Sequence, residues 1–292
     1  MGHSLGYIAN CCHRPSPYSP AMPELPEVET TRRGLAPALT GRQVARAVVR
    51  NRAMRVPVPR TLETSIAGAR VTSVERRAKY LLVVTDRGTL IVHLGMSGRV
   101  WLVDGATPPA LHDHFDLVLD DGTVMRLRDP RRFGLVLWQA QGAEPPPLLA
   151  RLGPEPLEAQ FDADHLYRET RTRSAAIKLV IMDAQVVVGV GNIYASEALF
   201  RAGIHPRTAA RRLSRERCAR LVTHIRATLE DAIRAGGSSL RDYFGSNGQA
   251  GYFQDQHLVY GRTGEPCTRC GTAIREVRMV QRSTFYCGKC QR

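Results

Sequence analysis

The sequence predicts an α+β protein laid out in successive stretches, and three observations carry that prediction. Residues 44–140 break into short β-branched and apolar runs separated by turn residues. From about residue 160 to 235 the apolar spacing becomes helical. Residues 257–292 carry two close cysteine pairs, Cys267/Cys270 and Cys287/Cys290.

The elements follow in order. Residues 1–21 hold Pro15, Pro17 and Pro20, adjacent Cys11 and Cys12, and only one late arginine, Arg14. That is a poor signal peptide, and it reads as a disordered extension, a mis-assigned start or a processed leader. From Pro23 to Leu39 the apolar marks Val28, Leu35 and Leu39 predict a helix. Glu24, Glu27 and Glu29 lie in its first turns, where acids suit the positive end of the helix dipole. Between 44 and 140, VTSVERRAKYLLVV, TLIVHLGMSGRVWLV, FDLVLDDGTVMRLRD and GLVLW predict strands of a sandwich or a barrel. Asp121-Gly122 reads as a two-residue hairpin turn. Five prolines in 142–158 mark a linker. GVG at 189–191 then opens a helix at Asn192, and residues 211–236 form a basic amphipathic helix. Residues 236–253 are Gly/Ser-rich and read as a loop. The expected units are thus 1–21, 22–141, 142–158, 159–253 and 257–292.

Composition narrows the function. At 292 residues the chain suggests two domains of roughly 150 residues each. Hydrophobic content of 43% allows a sizeable core. A net charge of +14 points to a polyanionic partner. The excess is concentrated: residues 207–234 hold eight Arg against Glu216, Glu230 and Asp231. No apolar run approaches the roughly 18 residues of a membrane span. With seven cysteines, an odd number, and Cys11, Cys12 and Cys218 left over, the pattern favours a reducing cytosol over a disulfide scaffold.

The C-x2-C-x16-C-x2-C spacing of Cys267, Cys270, Cys287 and Cys290 predicts one tetrahedral zinc. All four positions are filled by protein, which makes the site structural and argues against a zinc-dependent hydrolase. The intervening segment reads as a hairpin with Arg282 at or near its tip.

The segment MPELPEVE at 22–29 carries the chemistry. Proline exposed by loss of Met22 would present a secondary amine with Glu24 and Glu27 close behind. Such an amine titrates near about 7.7–8.0, so part of it is a neutral nucleophile at neutral pH. Attack on a sugar or carbonyl carbon would give an iminium, an electron sink for elimination. Pro23 preceded by residues 1–22 has no such amine. Elsewhere, DPRRFG (129–134) and HLGMSG (93–98) place Arg131, Phe133 and Met96 on turns, as core caps or as wedges between base steps. GVGN has free helix N–H groups with Asn192 as cap, a candidate phosphate site. Lys79 in RRAKYL reads as a strand residue, either an outward solvated charge or a lysine aimed into a cleft.

Taken together, PELPEVET, RRAKYLL, HLGMSG, HDHFDLV, RDPRRFG, LGPEPL, VVGVGNIYASE, AGIHP, GGSSLRDY and QRSTFYC are spread over residues 22–292 in order. This chain resembles the bacterial formamidopyrimidine-DNA glycosylase family, and PELPEVE is similar to that branch more than to the endonuclease VIII branch. The resemblance implies a β-sandwich led by a helix, a helix–two-turn–helix domain and a zinc-ribbon hairpin. It implies a monomeric bacterial cytoplasmic enzyme, associated with the nucleoid through DNA, that removes oxidised purines from double-stranded DNA and cuts the strand by β,δ-elimination. It makes Pro23 the nucleophile and Glu24 the proton donor for sugar ring opening. Lys79 and Arg282 become the proton donors of the β- and δ-eliminations. His112, Arg131, Arg173, Lys178, Asn192 and Tyr252 become DNA contacts, and Met96, Arg131 and Phe133 fill the gap left by the everted base. The loop at 236–253 is similar to one that closes over 8-oxoguanine. Two alternatives stand beside this reading. Retention of residues 1–21 would leave a catalytically silent binder of damaged DNA, and an endonuclease VIII-type substrate range would shift the target to oxidised pyrimidines.

Overall fold

The computed structural model describes residues 22–238 and 253–292. The first helix, α1 (Leu25–Leu39), starts behind Glu24, whose backbone N–H donates to Glu27 Oε2 at 2.9 Å. Pro26 sits in its first turn, where a missing N–H costs nothing. Val28, Leu35 and Leu39 face the strands and are buried to 1% exposure or less.

The strands are β1 (Val44–Val49), β2 (Val71–Arg77), β3 (Tyr80–Thr85), β4 (Gly88–His93), β5 (Arg99–Asp104), β6 (Asp113–Leu119), β7 (Thr123–Arg128) and β8 (Leu135–Ala140). A short helix, α2 (Leu62–Ile66), interrupts them. They form two antiparallel four-stranded sheets, ordered β1-β6-β7-β5 and β2-β3-β4-β8. This is a sandwich with open edges, not a barrel. Alternating residues fill it: Leu81 and Val83 of β3 and Leu90 and Val92 of β4 pack with Phe115, Leu117, Met125 and Leu127 of the other sheet. The β6–β7 connection is Asp120–Gly122, one residue longer than the two-residue turn predicted; Gly122 supplies its positive φ of 85°.

The predicted linker is not bare. It contains α3 (Pro147–Ala150) and leads to Glu155, which is 6% exposed. Beyond it come α4 (Ala163–Arg171), α5 (Ile177–Ile181), α6 (Asn192–Ala202) and α7 (Arg215–Arg234). Two tight turns join α5 to α6, closed by Asp183 N–H to Val180 O (3.2 Å) and Val186 N–H to Asp183 O (2.9 Å). Within the stretch of helical spacing, α5 is therefore only a short helix. Gly203 ends α6 in the left-handed conformation, and the Ser214 side chain caps α7 by accepting from Arg217 N–H.

The last unit is a hairpin of β9 (Arg275–Met279) and β10 (Arg282–Tyr286). Phe285 and Val259 pack with Phe200 of α6 in a small core of their own. The buried Glu197 carboxylate of α6 accepts from the backbone N–H groups of Leu258, Val259 and Tyr260 at 2.8–3.0 Å. A charged acceptor with several backbone donors ties this unit firmly to the helical domain.

Candidate active site

The N-terminus of α1 is inserted against the N-terminus of α6. Leu25 N–H donates to Gly189 O at 3.1 Å, and the Glu24 carboxylate lies on the first turn of α6. Glu24 Oε2 accepts from Gly191 N–H at 2.8 Å and Tyr194 N–H at 3.4 Å, while Oε1 accepts from Ile193 N–H at 2.9 Å. The helix dipole and these donors favour a carboxylate. Complete burial outweighs them and holds the Glu24 carboxyl above the usual range, with Lys79 pulling the other way. A carboxyl whose proton is held more tightly than usual, beside Pro23, suits an acid.

This corrects two expectations. At this helix start the N–H groups of Gly191, Ile193 and Tyr194 are not free for phosphate, because Glu24 occupies them. Gly191, not Asn192, is the helix cap. The role of Gly191 is steric: a Cβ there would overlap the Glu24 carboxyl group.

Pro23 is buried beside Glu24. Glu27 underpins both. Its Oε1 accepts from Tyr194 Oη at 2.6 Å and Ser238 N–H at 2.8 Å, and its Oε2 holds the Glu24 peptide. Burial raises the Glu27 carboxyl as well, against the Tyr194 hydrogen bond. The Tyr194 hydroxyl reaches Ser238 Oγ at 3.2 Å, which in turn lies 3.2 Å from His257 Nε2.

Lys79 lies in the two-residue turn between β2 and β3, not in a strand as predicted. It is half-buried. Burial pushes its ammonium below the ordinary lysine range, Glu24 opposes this, and Arg282 adds to it. Arg282 is the first residue of β10, exposed, directly after the Val280-Gln281 turn. Lys79 thus lies in electrostatic range both of Glu24, in its own domain, and of Arg282, on the zinc hairpin.

Lys178 of α5 is 1% exposed, and its Nζ donates to Asn192 Oδ1 (2.7 Å) and Thr284 Oγ1 (2.8 Å). Burial lowers it from an ordinary 10.5 to about 7, with Glu24 opposing and Arg282 reinforcing. The Asn192 Nδ2 group donates to Ser283 O at 3.0 Å. Lys178 and Asn192 therefore sit together where α5, α6 and the zinc hairpin meet.

The wedge candidates also come together. A Cβ at Gly95 would overlap the Phe133–Gly134 backbone, so the Met96 turn packs directly on the Phe133 loop. Asp129 organises both: it accepts from Ser97 Oγ (3.1 Å) and Gly134 N–H (2.7 Å), and Ser97 Oγ accepts from Arg131 N–H (3.3 Å). Phe133 is 45% exposed and the Arg131 guanidinium lies 4.8 Å from its ring centre. Met96 is partly exposed, so neither side chain is a core cap. His112 stands before β6 with a φ of 74°, edge-on to His114. Arg173, on the helical side, is ion-paired with Glu169 (3.1 Å) and Asp183 (3.2 Å). Tyr252 and residues 239–251 of the expected lesion loop lie outside the described residues.

Sequence reasoning passed over His93, Tyr194 and Glu155. His93 pairs with Tyr80 across β4–β3, next to Lys79. Its Nδ1 accepts from Gly95 N–H at 3.0 Å, which leaves the proton on Nε2. Burial, then the Lys79 and Arg55 charges, lower it to about 4, so it stays neutral. Its place in HLGMSG, one strand from RRAKYL, was the available signal.

The four cysteines fit one zinc ion. Their Sγ atoms lie within 4.8 Å of one another, with Cys267–Cys290 at 3.9 Å and Cys270–Cys287 at 3.5 Å. Thiolates about 2.3 Å from a tetrahedral zinc stand about 3.8 Å apart. Arg269 N–H and Cys290 N–H donate to Cys267 Sγ and Cys287 Sγ, a backbone arrangement suited to thiolates.

Comparison with known proteins agrees with this geometry. Residues 22–136 match the formamidopyrimidine-DNA glycosylase N-terminal domain, residues 152–243 the H2TH domain of the same family, and residues 264–292 a zinc finger found in FPG and IleRS. A formamidopyrimidine-DNA glycosylase of Methylobacillus flagellatus is 57% identical over 270 residues, covering 92% of this chain and 96% of the relative. One from Stutzerimonas stutzeri is 55% identical over 271 residues, covering 93% and 100%. Among solved structures, the MutM (Fpg) protein of Thermus thermophilus superposes with a TM-score of 0.83 at 38% identity, covering 92% of this chain and 98% of that one. Lactococcus lactis Fpg in complex with abasic-site DNA does so with a TM-score of 0.83 at 32% identity, covering 92% and 99%. This chain belongs to the formamidopyrimidine-DNA glycosylase family.

Proposed function

We infer that the protein is a bifunctional DNA glycosylase and abasic-site lyase acting on oxidised purines in double-stranded DNA. The observation that carries the reading is the placement of the buried Glu24 carboxyl, held on the first turn of α6, beside Pro23, with Lys79 in electrostatic range.

With its nitrogen free, Pro23 attacks C1′ of the damaged nucleoside and the base departs with the glycosidic electron pair. Glu24 delivers a proton to O4′ as the sugar opens, leaving an iminium between Pro23 and C1′. Loss of a C2′ proton then expels the 3′ phosphate. A second elimination expels the 5′ phosphate, and hydrolysis frees the proline. Lys79 and Arg282 serve the β- and δ-departures as cations beside the leaving phosphates. The iminium is the electron sink of the eliminations. Zinc, held by Cys267, Cys270, Cys287 and Cys290, supplies only the rigidity of the hairpin that carries Arg282.

Reaching C1′ requires the nucleotide to leave the stack, at a cost of a few kcal/mol. Met96, Phe133 and Arg131 fill the vacated space and offset part of it. Lys178, Asn192, His112 and Arg173 hold phosphates of the bent duplex, and Tyr252 is a further contact. The active form begins at Pro23, because an acylated proline nitrogen has no lone pair to donate. The start of the family match at residue 22 supports this.

The test is excision from duplexes carrying one 8-oxoguanine or one thymine glycol, using protein that begins at Pro23. Base release from 8-oxoguanine and a one-nucleotide gap with phosphates at both ends is the expected result. Preference for thymine glycol would move the protein to oxidised pyrimidines, and binding without cleavage would make it a lesion-binding protein.

A further inference from the structure

The Lys79 turn is an unfavourable one for its sequence. Ala78 has a φ of 55°, a conformation that glycine or asparagine adopts readily and alanine does not. The turn is also buried, with Ala78 only 4% exposed, so water does not satisfy its peptide groups. Something else must hold it.

Glu155 does. It reaches the turn from the far side of the linker, 77 residues away, and its Oε1 accepts from Ala78 N–H at 2.7 Å. The same oxygen accepts from Arg77 Nη1 at 2.9 Å, and Oε2 accepts from Arg76 Nη1 at 2.7 Å. Arg76 Nη1 also donates to Ala78 O at 2.9 Å. Both polar groups of the Ala78 backbone are therefore held in one ring: N–H to Glu155, Glu155 to Arg76, Arg76 back to the carbonyl. The ring is anchored at both ends. Arg76 Nε reaches Glu29 of α1 at 3.3 Å, and Arg77 Nη2 donates to Leu152 O and Gly153 O. Glu155 itself lies between Pro154 and Pro156, which restrict its backbone, and Gly153 N–H and Pro154 O are bonded to Ala184 and Val188 of the helical domain.

We propose that Glu155 is a positioning residue for the reaction: it fixes the left-handed Ala78 peptide and so aims the next side chain, Lys79, at the reacting sugar. This rests on the reading that Lys79 serves the elimination. The clamp thus joins α1 and the β2–β3 turn to the linker and, through Gly153 and Pro154, to the helical domain.

The test is a double-mutant cycle on single-turnover cleavage of a preformed abasic site, using protein that begins at Pro23. The variants are Glu155→Ala, Glu155→Gln, Lys79→Ala and the doubles, each checked for a cooperative thermal transition. Glu155→Ala is expected to slow cleavage about 10- to 100-fold, the scale of a misplaced catalytic group. Glu155→Gln, which keeps an acceptor for Ala78 N–H, loses less. In the Lys79→Ala background, Glu155→Ala costs less than about twofold further, because there is no longer a lysine to aim. Equal losses in both backgrounds overturn the proposal and leave Glu155 as a general brace. Should Lys79→Ala itself leave cleavage unchanged, the assignment of Lys79 fails, and the positioning role with it.

Discussion

The Glu24 carboxylate lies directly against Gly191, accepting its N–H at 2.8 Å where any Cβ would overlap the carboxyl group. The proposed acid is thus held by a residue of the other domain, 167 positions away. Gly191→Ala must displace Glu24 or shift α6. Base excision is expected to fall about 100-fold while the fold is retained, as read by single-turnover 8-oxoguanine release. An unimpaired Gly191→Ala variant would mean that Glu24 does not work from this position.

The Tyr194 hydroxyl donates at 2.6 Å to a fully buried Glu27 carboxylate. Tyr194→Phe removes a partner of a buried acid without changing shape, and the expected destabilisation is about 1–3 kcal/mol. The urea midpoint at pH 7 measures it. The loss should shrink toward acid pH, where a protonated Glu27 needs one donor fewer.

On the proposed phosphate contact, Lys178 is expected to link DNA binding to proton uptake. Its amine sits at about 7 in the free protein, and an approaching phosphate favours the ammonium. Above pH 7 the complex must therefore take up a proton, and affinity is expected to fall by up to about tenfold per pH unit. Lys178→Met flattens this dependence, as seen by titration calorimetry in buffers of different ionisation enthalpy. The same shift acts on the fold. A depressed lysine contributes stability that is full above its unfolded value of 10.5 and lost as pH falls through about 7. The variant accordingly narrows the gap in melting temperature between pH 9 and pH 6.

Phe133 is exposed on the DPRRFG loop with the Arg131 guanidinium over its ring. Phe133→Ala is expected to cost about 1–3 kcal/mol of affinity for a duplex containing an abasic-site analogue. Undamaged duplex, which offers no gap, should lose far less. Equal losses on both duplexes would reduce Phe133 to a loop-packing residue.

Removing zinc should release the hairpin. With four thiolates no longer gathered, residues 264–292 lose their organising centre, and Arg282 with it. A strong chelator is expected to abolish strand cleavage while the far-UV signal of the sandwich and α7 persists. Added zinc restores activity.

Much of this was legible in the chain. The cysteine spacing specified the metal unit outright, because two C-x-x-C pairs admit few other uses. Short apolar and β-branched runs broken by turn residues marked a sandwich or a barrel, and the apolar marks Val28, Leu35 and Leu39 its leading helix. What stayed hidden are contacts between residues far apart in sequence. GVGN read as a free anion site, since nothing local to residues 189–192 says that Glu24 docks on it. RRAKYL read as a continuous strand, because the left-handed Ala78 is maintained by Glu155, itself concealed in a proline-rich stretch that resembled a bare linker. Local propensity reports turns made for local reasons, and a turn imposed from 77 residues away leaves no local trace.

The central claim is that the Pro23 nitrogen is the nucleophile. Borohydride reduction during reaction with an 8-oxoguanine duplex, followed by peptide mapping, tests it on protein beginning at Pro23 and on the 292-residue chain. The account predicts a covalent adduct on Pro23 in the first, and none in the second unless residues 1–22 are removed. An adduct on Lys79 or Lys178, or no adduct from either form, would contradict it.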